Sequence, residues 1–193
     1  DPTRNHWQPV ELATRAFGQG VSATLLQLAT GYAPLMNGGF RVQPHIVVDG
    51  DAANVPSTRV LKPRVARQTQ EILTWVTGSV YRYAKGALIH GWMIGGKSGT
   101  AQIWDVRRHQ YKERRYNHSF IGFVGSDRPE VVIAVRIEEA VPTAVKPYLD
   151  LEIESYELFQ MLARAAIKHL DIERSRDRHA GLGEAHLRAD HVD

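Results

Sequence analysis

With 193 residues, 43% of them hydrophobic, the chain is long enough for one sizeable domain with a packed core, and its net charge of +3 lacks the concentrated basic face expected for nucleic-acid binding. Cysteine is absent, which excludes disulfides and thiolate metal sites. No apolar run approaches bilayer-spanning length, and Asp1-Pro2-Thr3-Arg4 has none of the features of a signal peptide, so any membrane anchor is expected outside this sequence.

The stretch through Phe17 reads as an irregular entry with a short helix around Glu11 to Arg15. Thr24 and Gln27 have capping-box spacing, and Leu25, Leu28, Ala29, Tyr32 and Leu35 follow at helical intervals. This predicts a helix from Thr24 to the turn at Asn37-Gly38-Gly39, with a kink at Pro34. Residues 40–48 contain Pro44 and suit an edge strand, followed by a polar connection over 49–58. Pro63 sits at the first position of a second helix, in which Val65, Thr69, Ile72, Leu73 and Val76 share a face and Gly78 stops the run. A loop through Lys85-Gly86 leads into an extended segment from Trp92 to Trp104.

Residues 105–115 are rich in Arg and Lys and are expected to form a solvated hairpin connection or flap. His118 to Val124 and the β-branched run Val131 to Ile137 read as two strands joined by a turn at Ser126-Asp127-Arg128-Pro129. Three successive strands joined by turns imply an antiparallel sheet. Pro142 and Pro147 break the chain before a last helix from about Leu151, whose stripe of Ile153, Tyr156, Phe159, Ala163, Ala166, Ile167 and Leu170 needs a sheet face. Past that helix the chain is charged and poor in apolar residues, so 1–172 is expected to hold the domain and 173–193 a disordered polar tail.

The most informative stretch is Gly95-Gly96-Lys97-Ser98-Gly99-Thr100-Ala101-Gln102, one lysine and two hydroxyl residues among three glycines, where backbone can approach a ligand closely. Gly91 to Ser98 fits the nucleotide-binding pattern G-x-x-x-x-G-K-[ST]. That pattern requires a strand before the loop and a helix beginning at the Lys-Ser pair. Here bulky Trp92, Met93 and Ile94 fill the loop, Gly99 falls in the first turn of the supposed helix, and Ile103-Trp104 favours extension. A Gly-rich turn in an ordinary hairpin is a further reading. The reading that explains more of the chain is a strand carrying a Lys-Ser-Gly-Thr motif that faces the cleft of a serine acyl-transfer enzyme.

Four stretches then act together. They are Gly18-Gln19-Gly20 with Thr24, Gln27-Leu28-Ala29 and Tyr32-Ala33; Asn37-Gly38-Gly39 with Pro44-His45-Ile46-Val47; Gly96-Lys97-Ser98-Gly99-Thr100-Ala101-Gln102; and His118-Ser119-Phe120-Ile121-Gly122-Phe123. In this order and spacing the chain resembles the C-terminal part of the transpeptidase domain of class B penicillin-binding proteins. The resemblance implies an α+β fold, an antiparallel sheet packed by helices as part of a penicillin-binding, serine β-lactamase-like domain. It implies an enzyme that cross-links peptidoglycan stem peptides at the outer face of the bacterial cytoplasmic membrane, binds β-lactams, works beside other cell-wall synthesis proteins and needs no cofactor or metal.

Carried over by position, Lys97 would place positive charge beside the nucleophile and the substrate carboxylate. Ser98 and Thr100 would offer hydroxyls to that carboxylate. The Thr100 N–H would be one oxyanion-hole donor, Gly99 would let the strand meet substrate, and Gln102 would lie at the cleft rim. His118 is expected to support the sheet. The family nucleophile lies in Ser-x-x-Lys and a second motif is Ser-x-Asn. No serine here satisfies either pattern, so the expectation is a C-terminal portion that carries the lysine wall without the nucleophile. A non-catalytic binding or scaffold relic of the same fold is the alternative. His179, His186 and His191 lie in the polar tail with no helix to hold them on one face, and Trp75, Trp92 and Trp104 are expected in the core or cleft wall.

Overall fold

Three long strands, β3 (Met93–Asp105), β4 (Gln110–Gly125) and β5 (Pro129–Ala140), form an antiparallel sheet in the order β3-β4-β5. The computed structural model of the chain describes residues 8–16, 18, 20–46, 55–140 and 153–176. Cross-strand partners share a face of a sheet, so the register sorts the side chains. Gly96, Gly122 and Ile133 form one row, Ser98, Phe120 and Val135 the next, and Thr100, His118 and Ile137 a third, all on one face. Gly95, Phe123 and Val132, with Lys97, Ile121 and Ala134, occupy the other.

The first face is covered by α5 (Ser155–His169), which packs on β4 and β5. Phe159 is fully buried, with its ring 4.8 Å from that of Phe120. A side chain at Gly122 would end 2.9 Å from the Phe159 ring, so this glycine is the hollow into which the helix seats. Burial of each such phenylalanine contributes about 1.5–3 kcal/mol. Near the second face, α3 (Pro63–Ser79) packs on β3, while α2 (Leu25–Met36) packs on α3 and β5. Phe123 fills the space left by Gly95, where an added Cβ would come within 2.3 Å of its ring.

Several expected elements form for the expected reasons. α2 starts with a reciprocal Thr24–Gln27 capping box and closes on Gly38 and Gly39, both in the left-handed region. α1 (Pro9–Ala16) contains the predicted short helix, and Pro63 opens α3. α5 begins at Ser155, later than expected, because Glu154 and Glu157 form its capping box.

Other expectations are corrected. The strand at Phe40 stops at Val42, before Pro44, and β1 (Phe40–Val42) pairs with β2 (Ser57–Arg59), which takes in Ser57 and Thr58 at the end of the expected polar connection. The buried side of α3 is Ala66, Leu73, Thr77 and Gly78, leaving Val65 and Ile72 exposed. Gly78 lies inside the helix and on its buried side, so it does not stop the run. The loop through Lys85-Gly86 is a short helix, α4 (Tyr81–Gly86). The basic flap is largely ladder, since Trp104 pairs with Tyr111 and Asp105 with Gln110, with only residues 106–109 turning. Trp75 and Trp104 are exposed, whereas Trp92 packs against the core.

Past α5 the chain docks through residue 176. Ile172 is buried, its carbonyl accepts from Trp92 Nε1 at 3.1 Å, and Ser175 Oγ bonds Asp127 Oδ1 at 2.7 Å. Pro142, Pro147, the approach to α5 and residues 177–193, with His179, His186 and His191, lie outside the described residues. Among the described residues no helix is long and apolar enough to cross a membrane.

Candidate active site

Among the described residues β3 has a strand neighbour on one side only, and its other edge carries the lysine motif. The Gly96 N–H donates not to β4 but to Thr77 Oγ1 at 3.0 Å, while the Thr77 hydroxyl donates to the Leu73 carbonyl at 2.9 Å. Thr77 is fully buried, so α3 fastens this edge at one point. Backbone direction alternates with a period of two, so the N–H and C=O groups of Ser98 and Thr100 point to the same open edge as the Gly96 amide. Lys97 Nζ lies along that edge, donating to the Ser98 carbonyl at 2.9 Å and to Ser98 Oγ at 3.4 Å.

The glycines divide by role. Gly95 and Gly96 are buried under Phe123 and Phe120, and a Cβ at Gly96 would stand 2.4 Å from the Phe120 ring. Their absent side chains serve packing, not ligand approach. Gly99 is exposed, and a Cβ there would meet only Ser119 Oγ, at 2.8 Å. Thr100 and Gln102 are exposed on the strand beyond it.

Two residues absent from the sequence reading join the site. Thr77 is one. The other is Tyr83 of α4, whose hydroxyl is hydrogen-bonded to Ser98 Oγ and whose ring lies 5.6 Å from Phe120 and 5.5 Å from Tyr156. Neither carries a local signal, since each meets β3 across at least fifteen residues of sequence. His118 stands opposite Thr100 on β4 and is buried, its Nε2 without a hydrogen-bond partner among the described residues. Burial pushes its pKa down, favouring the neutral imidazole.

The hairpin arm holds a concavity of about 600 Å³ lined by Arg107, Arg108, Lys112 and Arg115 together with Asp105 and Glu139. Its cations face acids: Glu139 pairs with Lys112 and, at 3.8 Å, with Arg115, which holds its carboxyl below the usual range. Among the described residues no group of three or more His, Asp or Glu gathers as a metal site.

A strand edge whose Ser98 and Thr100 amides point away from β4, with a lysine and two hydroxyls, can accept an extended peptide as an added strand and hold an anionic end. It is not a phosphate loop, because β3 runs unbroken through Lys97 and Ser98 and no helix begins there. The sequence profile of the penicillin binding protein transpeptidase domain matches residues 2–147. The chain belongs to that transpeptidase family.

Within the transpeptidase family its relatives are of class B. The probable peptidoglycan D,D-transpeptidase PenA of Neisseria meningitidis is 33% identical over 138 residues, covering 72% of this chain and 22% of that protein. Stage V sporulation protein D of Bacillus subtilis is 34% identical over 138 residues, covering 67% of this chain and 21% of that protein. The chain thus spans about a fifth of the length of these relatives. Its fold is similar to the apo transpeptidase domain of Burkholderia pseudomallei penicillin-binding protein 3, with a TM-score of 0.72 at 27% identity over 87% of this chain and 49% of that one. Penicillin binding protein 3 of a Mycobacterium, solved with ampicillin, gives a TM-score of 0.74 at 24% identity over 92% of this chain and 41% of that one. The α+β fold expected from the resemblance is the family's fold.

Proposed function

We propose that this chain supplies the lysine-bearing wall of a peptidoglycan D,D-transpeptidase, the acyl-transfer enzyme that cross-links stem peptides and is acylated by β-lactams. The observation that carries the reading is the open edge of β3, where Lys97, Ser98 and Thr100 stand together and one neighbouring amide, that of Gly96, is fastened by Thr77. The stem peptide lies along this edge as an added strand. Its terminal carboxylate meets the Ser98 and Thr100 hydroxyls, with Gly99 leaving the approach clear and Gln102 at the rim. Lys97 supplies the positive charge beside nucleophile and carboxylate, and the Thr100 N–H is one of two donors to the oxyanion.

No serine of the chain is followed by lysine three positions on, so the nucleophile is contributed by residues other than these. The printed name of the PenA relative supports action on peptidoglycan; on this reading the enzyme works outside the cytoplasmic membrane, alongside other cell-wall synthesis proteins. In the complete product of the gene, Lys97→Ala is expected to slow acylation by a penicillin on the order of a hundredfold or more, in the range of losing one charge-stabilising donor. Stopped-flow acylation kinetics measure this, and an unchanged rate removes Lys97 from the site.

A further inference from the structure

Tyr83 stands behind the carboxylate-facing strand in a position that gives its hydroxyl a task. We propose that Tyr83 is a positioning residue: its hydroxyl donates to Ser98 Oγ and thereby aims the Ser98 proton at the terminal carboxylate of the acyl donor. The inference rests on the transpeptidase reading.

A serine hydroxyl has one proton and two lone pairs, and a lysine ammonium can only donate. Lys97 Nζ, 3.4 Å from Ser98 Oγ, takes one lone pair. If Ser98 gave its proton to Tyr83, it would have no donor left for an anion. With Tyr83 donating, both lone pairs are occupied and the proton can only leave in a third direction, which an anion at the strand edge can claim. A carboxylate at the edge therefore selects the second arrangement.

Tyr83 is built to hold that orientation. Its carbonyl accepts from the N–H groups of Ala87 at 2.7 Å and Leu88 at 3.1 Å, fixing its backbone at the end of α4. Its ring is set edge-on against Phe120, which neighbours Ser98 across the ladder. Tyr156 braces the other side, seated where Gly86 has no side chain: a Cβ there would lie 2.5 Å from the Tyr156 ring.

The test uses the complete gene product with Tyr83→Phe, Ser98→Ala and the double variant, acylated by benzylpenicillin and by its methyl ester, which lacks the carboxylate charge. Tyr83→Phe keeps the ring and is expected to slow acylation by the free acid roughly tenfold, leave the ester unchanged, and add nothing in the Ser98→Ala background. Equal slowing with acid and ester, no slowing with either, or a full effect without Ser98 overturns the proposal. A crystal structure of the unsubstituted penicillin adduct decides the same point without mutation: Tyr83 and the carboxylate both bond Ser98 Oγ, or the proposal fails. Wild-type protein that no penicillin acylates removes the transpeptidase reading and this inference together; acylated wild type with an indifferent Tyr83→Phe removes this inference alone.

Discussion

Lys97, Ser98 and Thr100 are readable from sequence because a short motif fixes their chemistry, yet what holds them is not. Gly96 is anchored by Thr77, nineteen residues earlier, and Ser98 by Tyr83, fifteen residues earlier. Local pattern could not pair them, since a threonine within a helix and a tyrosine near a glycine carry no mark of a distant partner. His118 was legible as a support of the sheet, and its burial opposite Thr100 makes it pH-sensitive. Its folded pKa is depressed below the ordinary 6.5, so on acidification the unfolded chain takes up the proton first. Stability is therefore full above about pH 6.5 and falls as pH drops from there to the folded pKa. Its neighbours in register, Thr100 and Ile137, and the adjacent Tyr116 ring add no charge there. Thermal melting from about pH 7 to 5 should show this slope, and His118→Phe should flatten it; an identical slope in the variant assigns it elsewhere.

At the scale of elements, the capped and patterned pieces were legible: α2 through its Thr24–Gln27 box, α3 through Pro63, and β5 through its β-branched run from Val131 to Ile137. The misreadings share a cause. α4 and the buried side of α3 are set by what they press against, and the basic arm by cross-strand pairs such as Trp104 with Tyr111, whose rings meet at 5.2 Å. Two substitutions test these contacts. Thr77→Val keeps the shape but orphans the Gly96 amide, and chemical denaturation should report a loss of about 1–3 kcal/mol. Gly122→Ala drives a methyl to 2.6 Å from the Gly95 carbonyl and 2.9 Å from Phe159. Its expected cost is also about 1–3 kcal/mol, with α5 loosened, so its amides should exchange faster with solvent. Wild-type stability in either variant would show that α3 or α5 does not seat as described.

For the whole molecule, the sheet and its order followed from strands joined by turns, but the way its two faces are filled did not. The family profile ends at residue 147, before α5, while the likeness to solved transpeptidases extends over 92% of the chain. That last helix completes the core through Phe159 and Ala163, which are fully buried. Residues 172–176, polar in composition, return to Trp92 and to Asp127, a contact spanning 48 residues that no local reading could supply. We propose above that this fold presents the lysine wall of a β-lactam-sensitive transpeptidase, and no serine of these 193 residues has a lysine three positions on. Intact-protein mass spectrometry after penicillin treatment tests it most directly. No covalent adduct is expected on the 193-residue chain and a single adduct on the complete gene product; an adduct on the chain itself, or none on the complete product, would contradict the proposed role.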